Sequence, residues 1–170
     1  MTSSFHEQFV ALFDAHFRRI HRYVDRLSGD ADLAADIAQE TFMKLYQRGS
    51  SPDTPEAWLI TVAMNLFRNE RSKHARRARL LTAERSEDLL ADPPASPSSA
   101  IEGASGAGRV RCAIDSLPER ERQMLLLRAE GYSYRDIAAA LEIEETSVGT
   151  LLARAKRAFR EHYEGQRHAS

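Results

Sequence analysis

Cysteine is nearly missing from this chain: among 170 residues, Cys112 alone carries a thiol. That excludes an intramolecular disulfide and the multi-cysteine zinc sites, and it fits a reducing cytoplasm. No apolar run approaches membrane-spanning length. The first residues lack the basic start, apolar stretch and small-residue cleavage site of a secretion signal, so a soluble cytoplasmic protein without membrane insertion is expected. An excess of one charge is absent too. Lys+Arg 24 stand against Asp+Glu 25, and any basic surface for a nucleic acid must therefore be local. Glycine (8) and proline (6) are few and collected in particular places. The long stretches between them are rich in Ala, Leu, Arg and Glu and favour helix, while strand alternation is missing.

What is present is a series of helical patterns. Phe9, Leu12, Phe13, Phe17, Ile20, Val24 and Leu27 fall on one stripe of a first helix over residues 5–27. The sequence SGDAD breaks it, and a second helix is expected from about Asp32 to Gln47. A polar loop with two prolines and a glycine, residues 48–57, leads into a third helix from about Pro55 to Arg79. Between Thr82 and Gly108 the composition turns to Pro, Ser, Ala and Gly, too poor in apolar groups to offset the entropy of ordering, and reads as a flexible linker. Its GASGAG resembles a phosphate loop only superficially, since no strand precedes it and the glycine spacing is wrong. Residues 110–117 then read as a short helix stopping at Pro118. Pro118 suits the first turn of the next helix, with Glu119 and Glu121 near its positive end. That helix carries Met124, Leu125 and Leu127 and ends at Gly131. Ser133 and Asp136 form a capping pair for residues 134–141, residues 142–145 turn, and a last helix ends near Tyr163. This is a helix-turn-helix preceded by another helix. At this length one ordinary domain or two small ones can form. The expected fold is all-α, with two small helical domains, residues 1–80 and 109–165, joined by a linker over 81–108.

The helices divide into faces. In the second, Leu33, Ile37, Ala38, Thr41 and Leu45 point inward, while Asp36, Gln39, Glu40 and Met43 share the opposite side. A thioether on a polar face suits a partner surface, although periodicity alone also allows a solvated acidic face with one stray Met. In the third, Leu59, Val62, Ala63 and Leu66 point inward and leave Thr61, Asn65, Arg68, Asn69 and Ser72 outside. Arg68, Arg71, Lys73, Arg76, Arg77 and Arg79 outweigh Glu70. Such a cluster can follow a DNA backbone, or merely complement a helix end.

Residues 30–47, DADLAADIAQETFMKLYQ, with residues 57–69, AWLITVAMNLFRN, resemble sigma domain two of extracytoplasmic-function sigma factors of bacterial RNA polymerase. Residues 117–141, LPERERQMLLLRAEGYSYRDIAAAL, are similar to the start of their sigma domain four. The resemblance covers most of the chain outside the linker and the extreme ends. It implies a transcription-initiation subunit that binds core RNA polymerase and promoter DNA, catalyses nothing, needs no cofactor, and is in many family members controlled by an anti-sigma factor. The helix bearing QETF would dock on the polymerase clamp through Asp36, Gln39, Glu40 and Met43. The minus-ten element would be opened and captured by the tryptophan-containing helix, with Asn65 and Asn69 at base-contacting positions and Trp58 packing the preceding loop. Arg68, Arg71, Lys73, Arg76 and Arg77 would supply the backbone track. The last helix would read the minus-thirty-five element through Thr146, Ser147, Thr150, Arg154 and Arg157. There the chain departs from the family pattern, because Gly149 and Leu151 occupy two usually basic positions and Glu142, Glu144 and Glu145 add negative charge.

Other classes fit parts of the chain. The C-terminal half alone permits a dimeric helix-turn-helix regulator of duplex DNA, and the helices with their hinge permit a helical adaptor. QETF and the block from Trp58 to Asn69 argue against the regulator. His6, His16, His21, His74, His162 and His168 lack close ligand-like spacing and are expected on helix surfaces or in solvent. Neither a nucleophile elbow nor a phosphate loop occurs. Cys112, beside the linker, is expected to pack, with redox sensing as the alternative.

Overall fold

The computed structural model describes residues 4–85 and 106–168, and every element in them is an α-helix. Helix α1 spans Phe5–Ser28 and opens with a capping box in which Ser4 and Glu7 satisfy each other's backbone N–H. It stops at Gly29, whose φ of 70° favours a residue without a Cβ; its N–H donates to the Asp25 carbonyl at 2.7 Å. One residue later the Asp30 carboxylate accepts from the N–H groups of Asp32 and Leu33, both at 3.0 Å, and starts α2, Ala31–Arg48. Helix α3 runs from Pro55 to Arg85.

Helix α3 therefore overruns its expected end at Arg79. Residues 82–85, placed in the linker by composition, form its final turn, because no glycine or proline intervenes before them. Residues 86–105, most of the expected linker, lie outside the described residues. The second half of GASGAG belongs to helix α4, Gly106–Asp115, rather than to the linker. Helices α5 (Glu119–Ala129), α6 (Tyr134–Leu141) and α7 (Glu145–His168) follow. Ser133 and Asp136 form the capping box at α6, with the Ser133 hydroxyl 3.1 Å from the Asp136 N–H.

Helix α1 packs on α2 and α3, while α7 packs on α4, α5 and α6. These groups also meet, α1 against α5 and α3 against α6. The apolar interior is one continuous cluster, from Ile20, Val24 and Leu45 through Ile60, Met64 and Phe67 to Leu127, Ile137, Val148 and Leu152. Packing on two sides explains why α3 buries Ile60, Met64 and Phe67 beyond its expected stripe of Leu59, Val62, Ala63 and Leu66, of which Val62 and Leu66 are only half-buried.

Candidate nucleic-acid and partner interfaces

The outer face of α2 is open. Ile37, Ala38, Thr41 and Leu45 are buried, and the Thr41 hydroxyl donates to the Ile37 carbonyl at 2.7 Å, which removes its polarity from the core. Leu33, expected inward, is half-buried. Asp36, Gln39, Glu40 and Met43 are exposed, Met43 by 53 % of its surface, and Glu40 pairs with Lys44 at 3.6 Å. Beside them Phe9, Phe13, Phe42 and Tyr46 line an apolar groove reaching Gln39 and Met43. The ring edges of Phe9 and Phe13 meet Phe42 at centroid distances of 6.1 and 5.1 Å. Tyr46 of α2 stays exposed, and so does Phe13 of α1, so the aromatic stripe of α1 is buried less completely at its N-terminal end than periodicity suggests.

The outer side of α3 is partly covered. Asn65, Asn69 and Ser72 are exposed, and Thr61 is half-buried. Arg68, expected free on that face, is half-buried: Nη1 donates to Asn65 Oδ1 at 2.9 Å and Nη2 to the Ala140 carbonyl of α6 at 2.7 Å. Arg71 pairs with Glu119 of α5. Lys73 binds Glu70 at 2.7 Å and thereby holds the Glu70 carboxyl below its ordinary pKa. Arg76, Arg77 and Arg79 are exposed. Trp58 is half-buried against the core, with the Arg48 guanidinium 5.8 Å from its ring centroid.

In the helix-turn-helix, Thr146, Thr150, Arg154 and Arg157 of α7 are exposed and Ser147 is half-buried. Arg154 Nε donates to Oε1 of the buried Glu121 at 2.8 Å, so this cation also ties α7 to α5. Leu151 packs against the core, which gives its apolar character a structural cause. A Cβ on Gly149 would lie 3.6 Å from the Tyr134 ring, an ordinary contact. Glu142, Glu144 and Glu145 are exposed at the entrance to α7.

Besides Arg68, three positions escaped the sequence reading or contradicted it. His16 is buried, not at the surface, and desolvation lowers its pKa below 6.5, against the upward pull of Glu56 and Asp136. Cys112 is exposed rather than packed, because α4 turns Gly108 and Ala113 inward. Glu130 was overlooked. Its side chain is 1 % exposed and is held by Arg22 and Arg26, each at 2.7 Å, while Arg19 Nε donates to its backbone carbonyl at 2.8 Å. A carboxylate at the negative end of α5, and arginines at 19, 22 and 26 on one helical face, mark the partners separately in the sequence, but nothing in it pairs them.

Among the described residues, no group of three or more His, Cys, Asp or Glu is placed to hold a metal ion, and no helix is long and apolar enough to cross a membrane. Comparison with known proteins matches residues 12–77 to Sigma-70 region 2 and residues 107–159 to Sigma-70, region 4. The chain is 34 % identical over 139 residues to the ECF RNA polymerase sigma factor EcfG of Rhodopseudomonas palustris, covering 78 % of this chain and 70 % of that one. With the ECF RNA polymerase sigma factor SigL of Mycobacterium tuberculosis, identity is 33 % over 155 residues, covering 88 % and 85 %. The fold is shared with the sigma factor RpoE of Bartonella quintana, solved in complex with the anti-sigma factor NepR, at a TM-score of 0.65, 21 % identity and coverage of 94 % and 96 %. Two sigma regions in order along one chain, with relatives matching through both, show that this protein belongs to the extracytoplasmic-function (ECF) sigma factors of RNA polymerase.

Proposed function

We propose that this chain binds core RNA polymerase and directs it to a small set of promoters, with the segment through α3 acting as sigma domain two, the segment from α4 onward as sigma domain four, and residues 86–105 linking them. The observation that carries this reading is the juxtaposition, within the region 2 match, of an open α2 face and a polar, arginine-bearing α3. Asp36, Gln39, Glu40 and Met43 form the polymerase face, with the thioether adapting to an apolar partner and the polar groups fixing orientation.

Asn65 and Asn69 present amides that can both donate to and accept from base edges exposed by strand opening, and Trp58 props the loop before them. Unstacking a base costs a few kcal/mol, which contacts to the captured bases and the cations Arg68, Arg71, Lys73, Arg76 and Arg77 offset. Thr146, Ser147, Thr150, Arg154 and Arg157 on α7 face the major groove of the minus-thirty-five element. Polymerase supplies the chemistry, so this subunit has no catalytic residues and acts in the cytoplasm with the enzyme. An anti-sigma factor controls it, a proposal supported by the family relationship. The duplex-only regulator loses its ground, since it has no use for a region 2 segment over residues 12–77. Transcription reconstituted with core polymerase and a genomic DNA library tests the function: specific start sites are expected only with this chain, and their absence would remove the reading.

A further inference from the structure

The two halves of the chain are docked through arginines. Arg19, Arg22 and Arg26 lie on one face of α1 and clasp residues 130–132 beyond α5. Arg22 and Arg26 take the Glu130 carboxylate, while Arg19 takes the Glu130 carbonyl and stacks 3.8 Å from the Tyr132 ring centroid. Gly131 makes the turn possible with a φ of 85°. A carboxylate this buried is stable only while its cations are present. A second contact lies on α3, where Arg68 donates to the Ala140 carbonyl in the last turn of α6 and Arg71 pairs with Glu119 at the start of α5. Helix-end carbonyls and carboxylates offer guanidinium groups the negative acceptor oxygens that phosphates also offer.

We propose that the arginine face of α1 and α3 is an intramolecular docking surface for α5 and α6, locked by Glu130, and that this docking competes with promoter DNA for Arg68 and Arg71. The competition rests on the DNA-contacting role proposed above for those two arginines; the docking does not. In the docked state both cations are engaged by the second helical unit, so DNA must displace it. Segment 86–105 joins the two units covalently, and separation leaves the chain intact.

The test uses the full chain with one fluorophore on Cys112, its single and exposed thiol, and the other on Asp14→Cys in α1. Energy transfer reports separation of the units, and anisotropy reports binding of single-stranded oligothymidine. Glu130→Gln is expected to lower transfer. If about one molecule in ten is open in the wild type, oligothymidine affinity rises about tenfold. Reversing the pair, with Arg22→Glu, Arg26→Glu and Glu130→Arg together, is expected to restore transfer and lower affinity again. If Glu130→Gln loses helical content by circular dichroism, Arg22→Glu with Arg26→Glu carries the same test, since both side chains are half-exposed. Unchanged transfer in a helical latch variant would overturn the docking. Lower transfer with unchanged affinity would overturn the competition. Adding Arg68→Ala and Arg71→Ala to the open variant should abolish its gain in affinity; persistence of the gain would show that these arginines do not contact DNA, while the transfer result still decides the docking.

Discussion

Arg154 and Glu121 join the proposed recognition helix α7 to α5, the helix that precedes the helix-turn-helix, the guanidinium Nε lying 2.8 Å from a carboxylate oxygen on a side chain only 11 % exposed. The same cation cannot be given up freely to DNA, because Glu121 would be left buried without its partner.

Arg154→Ala is therefore expected to reduce folding stability as well as DNA binding. Leaving a buried acceptor unsatisfied costs about 1–3 kcal/mol, which denaturant unfolding of the full chain would register. An unchanged unfolding midpoint would mean that Glu121 finds water in place of Arg154.

Gly149→Lys should act in the opposite sense. Its Cβ meets the Tyr134 ring at ordinary contact distance, and removing a helix glycine gains up to about 1 kcal/mol. An added cation able to reach one phosphate steepens the slope of log affinity against log salt by about 0.9. Duplex binding at several salt concentrations should show higher affinity, a steeper slope and lower sequence selectivity than the wild type; an unchanged slope would place residue 149 away from the backbone.

Gln39→Ala with Glu40→Ala should weaken binding to core polymerase while leaving the helical content intact, since both side chains are exposed opposite the buried stripe of α2. Individual interface anchors can be worth over about 2 kcal/mol. A titration of core polymerase with the folded double variant measures it, and undiminished affinity would remove this face from the proposed interface.

Asn65→Ala and Asn69→Ala should impair promoter opening more than initial polymerase binding. Asn65 also accepts from Arg68 Nη1 at 2.9 Å, so its loss frees one guanidinium hydrogen bond while the bond to Ala140 remains. Permanganate footprinting on promoters from the reconstituted reaction reads strand opening; normal opening at several of them would count against these amides as base readers.

His16 sets a pH dependence with a definite sign. Burial lowers its folded pKa below 6.5, so the unfolded chain takes up the proton first as the solution is acidified. Its contribution to stability is fully present above pH 6.5 and is lost as the pH falls through the depressed folded value. Unfolding midpoints on both sides of pH 6.5 should therefore diverge more for the wild type than for His16→Leu. Parallel curves would show that His16 gains its proton without disturbing the fold.

Much of the secondary structure could be read before any coordinates. Gly29 and Gly49 end helices within the breaks read at SGDAD and in the polar loop, Ser133 caps the helix it was expected to cap, and residues 134–141 form a helix within the bounds their capping pair and apolar spacing indicated; α2 starts one residue earlier than expected, at Ala31, under the Asp30 cap. These features are local: a cap, a positive φ or a 3.6-residue period acts over a turn or two of chain. The exposed face of α2 was legible for the same reason, since a helix with one apolar stripe has only one way to turn it inward. Arg68, Glu130, His16 and Cys112 were not legible. Whether an arginine on an outer face stays in solvent depends on what arrives from elsewhere, and the partner of Arg19 lies 111 residues away. No periodicity encodes that pairing. Tertiary packing decided it, by bringing α5 and α6 against α1 and α3 so that the carbonyl and carboxylate groups of one half met the guanidinium groups of the other.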